Sequence, residues 1–208
     1  CARFFPGFIY YYELTNDARA LDAAVGLAEN ALRHKDIWRK RAKKAGGRAI
    51  ELWITEPMAL LYGVTGRQEY LDFVGMIEET IEMPDRGAHA HGYMDTLRGL
   101  QTAALITGDA AWNSKPEAAR RMIIERHFEL ADGCTPECFP HSGANEGCSI
   151  ADWLMLNLNT AAITGDETAY EHAEHILWNA LAFNQWNTGC FGVRSTAPTG
   201  YSMRRFEE

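Results

Sequence analysis

The chain has no excess of basic residues: 20 Lys and Arg stand against 28 Asp and Glu, for a net charge of −8. That balance disfavours a nucleic-acid partner, because such affinity comes from Lys and Arg neutralising phosphates. The one basic cluster, Arg39-Lys40-Arg41 with Lys43-Lys44, is short and reads as a solvated loop. No apolar run approaches the roughly 20 residues of a membrane-spanning helix, so no membrane partner is expected. Cysteine is also scarce: five residues, an odd number, are too few for a disulfide scaffold in a chain of 208 residues. Cys134 and Cys138 lack both the two-residue spacing and the second pair of a four-ligand structural zinc site. An initial Met is lacking too. The text opens at Cys1 and runs into Phe4-Phe5-Pro6-Gly7-Phe8, and it reads as an internal piece of a longer protein. What remains is ordinary globular composition, 47% hydrophobic and 23% charged, in a length that suits a single domain over 1–208.

One pattern recurs. Leu14-Thr15-Asn16-Asp17, Val64-Thr65-Gly66-Arg67, Ile106-Thr107-Gly108-Asp109 and Ile163-Thr164-Gly165-Asp166 each join an aliphatic residue to Thr, then Gly or Asn, then a polar residue. Gly or Asn is what a left-handed helix C-cap requires. Asp17, Asp109 and Asp166 suit the start of a following helix. The threonines lie 50, 42 and 57 residues apart, a period that signals stacked helical hairpins in an array or toroid. The flanks agree. Leu21, Ala24, Val25, Ala28 and Leu32 share one helical face, and Tyr70, Leu71, Val74, Ile77 and Ile81 repeat the spacing. The fold class read from this is all-α. The stretches 35–48, 83–92 and 130–147 read as linkers, and Gly189 to Arg194 as a short extended element.

The reactive residues concentrate in the last linker, as Glu137-Cys138-Phe139 and Asn145-Glu146-Gly147-Cys148. Paired carboxylates can serve as acid and base across a glycosidic bond. A Glu and a Cys one residue apart can hold a zinc-like ion. Blander readings exist: Glu137 as a surface acid, Glu146 as a helix-start acid, Cys148 as a small buried residue. His89 and His91, two apart, suit a metal or a sugar hydroxyl, or are ordinary loop residues, and His141 is similar. His172 and His175, three apart among Glu171 and Glu174, look like a solvated helix face. Trp153, Trp178 and Trp186 offer flat faces to a sugar ring, or fill a core. Asn179, Asn184, Gln185 and Asn187 suit hydroxyl binding or turn chemistry.

Taken in order, these motifs resemble glycoside hydrolase family 127, the β-L-arabinofuranosidase group. The matching text is His89-Ala90-His91-Gly92-Tyr93 with Leu97-Arg98-Gly99-Leu100, then Glu137-Cys138-Phe139. It continues through Glu146-Gly147-Cys148-Ser149-Ile150-Ala151-Asp152-Trp153 and Leu177-Trp178-Asn179-Ala180-Leu181. The resemblance implies part of an (α/α)6 barrel and retaining hydrolysis of a terminal sugar from an oligosaccharide or glycoside. It implies Glu137 as acid/base and zinc held by Glu146 and Cys148, with further cysteine ligands expected beyond residue 208. It places His89, His91 and Trp153 at the sugar. The family's adjacent cysteine pair, which carries its thiolate nucleophile, is not in this text. Two other readings stand beside it: a different toroid enzyme such as an epimerase or lyase, or a non-catalytic helical-repeat binding module.

Overall fold

The computed structural model describes residues 4–45, 52–82, 89–140, 144–185, 189, 193–197 and 200–204. The side chains of 41–45, 144 and the last two strands lie outside the description, as do His141, Trp186, Asn187 and Cys190. The described chain is helical almost throughout. Its helices are α1 (Phe5–Thr15), α2 (Ala18–Arg33), α3 (Lys35–Ala45), α4 (Thr55–Thr65), α5 (Gln68–Thr80), α6 (Ala90–Thr107), α7 (Ser114–Glu125), α8 (Gly147–Thr164) and α9 (Glu167–His175). A π-helical turn, Ile176–Leu181, continues α9.

Each repeated Thr motif is a hairpin turn built by one device. The threonine hydroxyls of Thr15, Thr65, Thr107 and Thr164 donate to the carbonyls of Tyr11, Leu61, Ala103 and Thr160 at 2.6–2.7 Å. Each then accepts the amide two residues on, from Asp17, Arg67, Asp109 and Asp166. The residue between sits in the left-handed region: Asn16 at φ 56°, Gly66 at 68°, Gly108 at 71° and Gly165 at 73°. The carboxylates of Asp17, Asp109 and Asp166 cap the next helical turn by accepting from the amides of Arg19, Ala111 and Thr168. Arg67 makes no such cap.

The first helices of the four hairpins pack in succession, α1 on α4, α4 on α6 and α6 on α8, with α2, α5, α7 and α9 as their partners. The inner helices therefore start together at one end and finish together at the Thr turns. Burial follows this order, with Ile9, Met58, Leu61, Met94, Leu97, Leu100 and Leu156 fully enclosed. Gly99 sets how close α4 and α6 come, since a Cβ there would lie 2.6 Å from the Glu56 amide nitrogen. Gln101 ties α6 to α8 by donating to the Leu156 carbonyl and the Thr160 hydroxyl, both at 3.0 Å.

One expected linker is a helix. The basic stretch from Lys35 forms α3, and Trp38 packs edge-on against Phe73 of α5 at 6.4 Å. Among the described side chains Lys35, Asp36, Arg39 and Lys40 are exposed while Trp38 is half-buried, a pattern that charge counting alone reads as loop. A small antiparallel sheet completes the description: β1 (Ala144–Glu146), β2 (Val193–Ala197) and β3 (Gly200–Arg204). Glu146 pairs with Val193, so the chain beyond α9 returns to the start of α8. The expected extended element is thus found from Val193 onward, while Cys190 to Gly192 lie outside the described residues.

Candidate active site

Three inner helices begin at the end opposite the Thr turns, and each start carries chemistry. Trp53 precedes α4, His89 is the N-cap of α6, and Glu146 is the N-cap of α8. Converging helix N-termini favour anionic groups, so carboxylates are at home here. The loop between α7 and α8 supplies the second carboxylate. Its anchor is Phe139, buried against Phe128 and edge-on to Tyr93 at 6.4 Å. An isolated bridge pairs His89 with Cys138, and the Ala90 amide donates to the Glu137 carbonyl at 2.8 Å. These bonds set Glu137 beside the start of α6. Further back, Gly133 at φ 86° lets the loop lie on α9, where a Cβ would meet the His175 ring at 2.7 Å.

The result is a tight group. Ligand atoms of His89, Glu137 and Glu146 all lie within 4.8 Å of one another, and all three residues are half-buried. The Cys148 thiol lies 3.5 Å from Glu146 Oε2. Cys148 as a residue is exposed, not the small buried residue that one reading expected, and the partial burial of its thiol is the first cause that pushes it up to about 12, followed by the Glu146 carboxylate and then Asp152. A bound cation would reverse that balance and favour the thiolate. Two carboxylates, an imidazole and a thiol in this space are a donor set that fits a divalent ion of zinc type.

The histidine enters this set in a defined state. The Gly92 amide donates to His89 Nδ1 at 3.2 Å, which leaves Nε2 as the protonated nitrogen, 3.4 Å from Glu146 Oε2. His89 therefore orients Glu146 as a donor. To ligate an ion through Nε2 it would have to move that proton.

Beneath this group runs a network that sequence reading missed. His91 Nδ1 bonds the Asp152 carboxylate, whose other oxygen takes the Arg98 guanidinium at 2.5 Å. Arg98 also reaches Glu56 at 3.3 Å and Asp95 at 3.7 Å. Burial first, then the Asp152 charge, pushes the Asp95 carboxyl up to about 7. The available signal was His91, Asp95 and Arg98 at i, i+4 and i+7, a polar stripe on an otherwise apolar helix.

Other expectations need correction. Trp153 was placed at the sugar, but it is 0% exposed, and its indole nitrogen donates to Glu129 at 3.1 Å. Helix packing turns it into the core, so it offers no free ring face. His172 is not a solvated residue, because Nε2 lies 2.6 Å from the same Glu129 carboxylate. Trp178 is 63% exposed. Glu137, Glu146, Cys148 and His89 come together as one group, and His91 packs beside it, its ring 6.0 Å from that of His89.

No family model matches the chain. Among curated proteins, glycerol kinases of Bordetella pertussis and Bordetella parapertussis align at 29% and 26% identity over 135 residues. That alignment covers 59% of this chain and 26% of those enzymes' length. Solved structures give broader likenesses. A GH127 β-arabinofuranosidase superposes at a TM-score of 0.67 and 17% identity, covering 99% of this chain and 37% of that one. A polysaccharide lyase gives 0.68 and 14%, covering 98% of this chain and 65% of that one. A sugar epimerase from a ruminal bacterium gives 0.67 and 15%, covering 99% and 62%. At these identities the likeness establishes the fold: the chain is all-α and forms part of an (α/α)6 toroid, as the glycoside hydrolase family 127 resemblance implies.

Proposed function

We propose that this chain is part of a glycoside hydrolase whose site is the Glu137, Glu146, His89 and Cys148 group at the N-terminal end of the inner helices. The convergence of these residues, which are up to 59 positions apart in sequence, is the observation that carries the reading. Glu137 acts as acid and then base: it gives its proton to the leaving oxygen as a nucleophile bonds the anomeric carbon and the glycosidic bond breaks, and then takes a proton from the water that displaces that nucleophile and frees the sugar. The closeness of the Glu137 and Glu146 oxygens to His89, within 4.8 Å, supports a shared ion between them rather than a pair of carboxyls that act alone. Glu146 and Cys148 would hold zinc, with Glu137 and His89 close at hand. When bound, the ion would supply the positive charge that keeps a thiolate ionised at neutral pH. His89 holds Glu146 in place. The substrate is an oligosaccharide or glycoside, and a terminal β-L-arabinofuranoside is the first sugar to try.

A second reading, an epimerase or lyase on the same toroid, is favoured by one observation. The His91–Asp152 pair is a ready-made oriented imidazole, the kind of base that proton abstraction next to a carbonyl or uronate requires. The glycerol kinase likeness spans only 26% of those enzymes' length, and the second reading does not draw on it.

The deciding experiment measures zinc per chain alongside hydrolysis of aryl glycosides, in the wild type and in Cys148→Ser and Glu146→Gln. Stoichiometric zinc that both substitutions abolish, together with hydrolysis, supports the proposal. Hydrolysis that survives both substitutions and metal removal would sink the zinc assignment. Turnover of an epimerase or lyase substrate alone would transfer the site to the second reading.

A further inference from the structure

Trp153 of α8 and His172 of α9 meet at one carboxyl group that the chemistry proposed above does not use. The Trp153 indole N–H donates to Glu129 Oε1 at 3.1 Å, and His172 Nε2 lies 2.6 Å from the same oxygen. The two rings stand edge to face, 5.7 Å apart. The Glu129 side chain is only 14% exposed and Trp153 is fully buried, so water does not readily replace either partner. A buried indole N–H without an acceptor is costly, which makes the Glu129 contact hard to give up.

Glu129 stands where the chain leaves α7 for the loop that carries Glu137. Its neighbour Phe128 folds back on α7, with its amide donating to the Ile123 carbonyl at 2.9 Å. The Phe128 ring stacks on Phe139 at 5.8 Å, and Phe139 is edge-on to Tyr93 of α6. Phe139 lies two residues after Glu137, whose carbonyl takes the Ala90 amide at 2.8 Å. The root of the loop and the segment bearing Glu137 are therefore stacked on each other, and α8 and α9 pin the root.

We propose that Glu129 is a positioning residue for Glu137: by meeting Trp153 and His172 it fixes the loop root, and the Phe128–Phe139 stack carries that placement to Glu137. The catalytic half of this assignment rests on the glycoside hydrolase reading given above, while the placement half rests on geometry alone.

Both halves are tested on the full 208-residue chain. Amide hydrogen exchange reads placement: the Ala90 amide, held by the Glu137 carbonyl, reports the loop, and the Gly165 amide, held by the Ala161 carbonyl at the turn end, is the reference. Glu129→Ala is expected to strip protection from Ala90 and leave it at Gly165. Glu129→Gln keeps an acceptor for the indole and should retain protection at both. Trp153→Phe removes the indole N–H but keeps a ring; it should fall between, and it serves in place of Glu129→Ala if that variant does not fold. In turnover of a glycoside, Glu129→Ala is expected to lower kcat by about 100-fold with KM nearly unchanged, the cost of misplacing a reacting group by about an ångström. Glu129→Gln should recover most of that loss. Protection at Ala90 that survives both Glu129→Ala and Trp153→Phe would overturn the proposal. Equal loss at Ala90 and Gly165 would overturn it too, as the mark of general destabilisation. An unchanged kcat despite lost protection would remove the catalytic half. A wild type that hydrolyses no glycoside would end the carbohydrate reading, while exchange still decides whether Glu129 places the loop.

Discussion

The two ends of the inner helices are made in opposite ways. At the C-terminal end four turns repeat one solution: a Thr hydroxyl bridging two backbone groups, then a left-handed Gly or Asn. At the N-terminal end the described connections differ from one another. One contains helix α3, one carries the Glu137 loop, and one returns as a sheet strand against β1. Short local bonds close the first end, and they leave no side chain over for chemistry. The second end is closed by contacts between distant segments, such as His89 with Cys138 and Glu146 with Val193. Reactive groups gather where closure is not already complete within a few residues.

The largest test of this contrast is a change at the N-terminal end that spares the fold. Glu137→Gln is expected to lower kcat by about 10²- to 10⁴-fold on glycosides with poor leaving groups, with the melting temperature unchanged. Activated aryl glycosides should lose less. Equal loss on both substrates would remove Glu137 from the acid role.

Between the two ends, Gly99→Ala should show how much the site depends on helix approach. The added methyl meets the Glu56 amide nitrogen and the Thr55 side chain, so α4 and α6 must part. The expected cost is about 1–3 kcal/mol in denaturant unfolding. A loosened contact between Glu56 and Arg98 should accompany it.

A smaller effect tests the buried network through pH. Asp95 ordinarily titrates near 3.8, but in the folded chain it is pushed up to about 7, mainly by burial and then by Asp152, with Glu56 adding and Arg98 and His91 opposing. Between those values the folded state keeps a proton that the unfolded state has lost, so stability falls as pH rises from about 4 to 7. Asp95→Asn should therefore gain on the wild type across that window in thermal melts. A difference that stays flat with pH would contradict the shifted carboxyl.

The smallest effects belong to the turn end. Gly108→Ala or Gly165→Ala forces a left-handed Cβ at φ 71° or 73°, at about 1–2 kcal/mol each, and neither should touch activity. Asp166 works in the opposite sense to Asp95. Its hydrogen bond to the Thr168 hydroxyl, and then the Thr168 and Ala169 amides, hold it below the ordinary 3.8. Its contribution is therefore present above pH 4 and lost as pH falls further. A turn substitution that lowered kcat would break the division between the two ends.

Much of this division is written in the text itself. The four turns were legible because everything they need, Thr, Gly or Asn, and in three of them a capping Asp, lies within a few residues. The all-α class and the closeness in sequence of Glu137, Glu146 and Cys148 were legible for the same reason, although Glu146 ends β1 and Cys148 lies in α8 rather than in a loop. Trp153 was not, because identical helical spacing serves a core face and a binding face, and only the packing of α8 against α9 and Glu129 buries it. Helix α3 was obscured because its many charges hide the apolar Trp38 that packs on Phe73. Arg98, Asp95, Glu56 and Asp152 sit on three different helices, and no local rule brings them together. Sequence alone thus determined the repeat, its turns and the reagents near the site, since these are short-range matters of backbone conformation and residue type. Tertiary structure decided which of those reagents meet, which nitrogen of His89 faces Glu146, and which aromatic is lost to the core, because these depend on the register and approach of helices that the chain joins only at a distance.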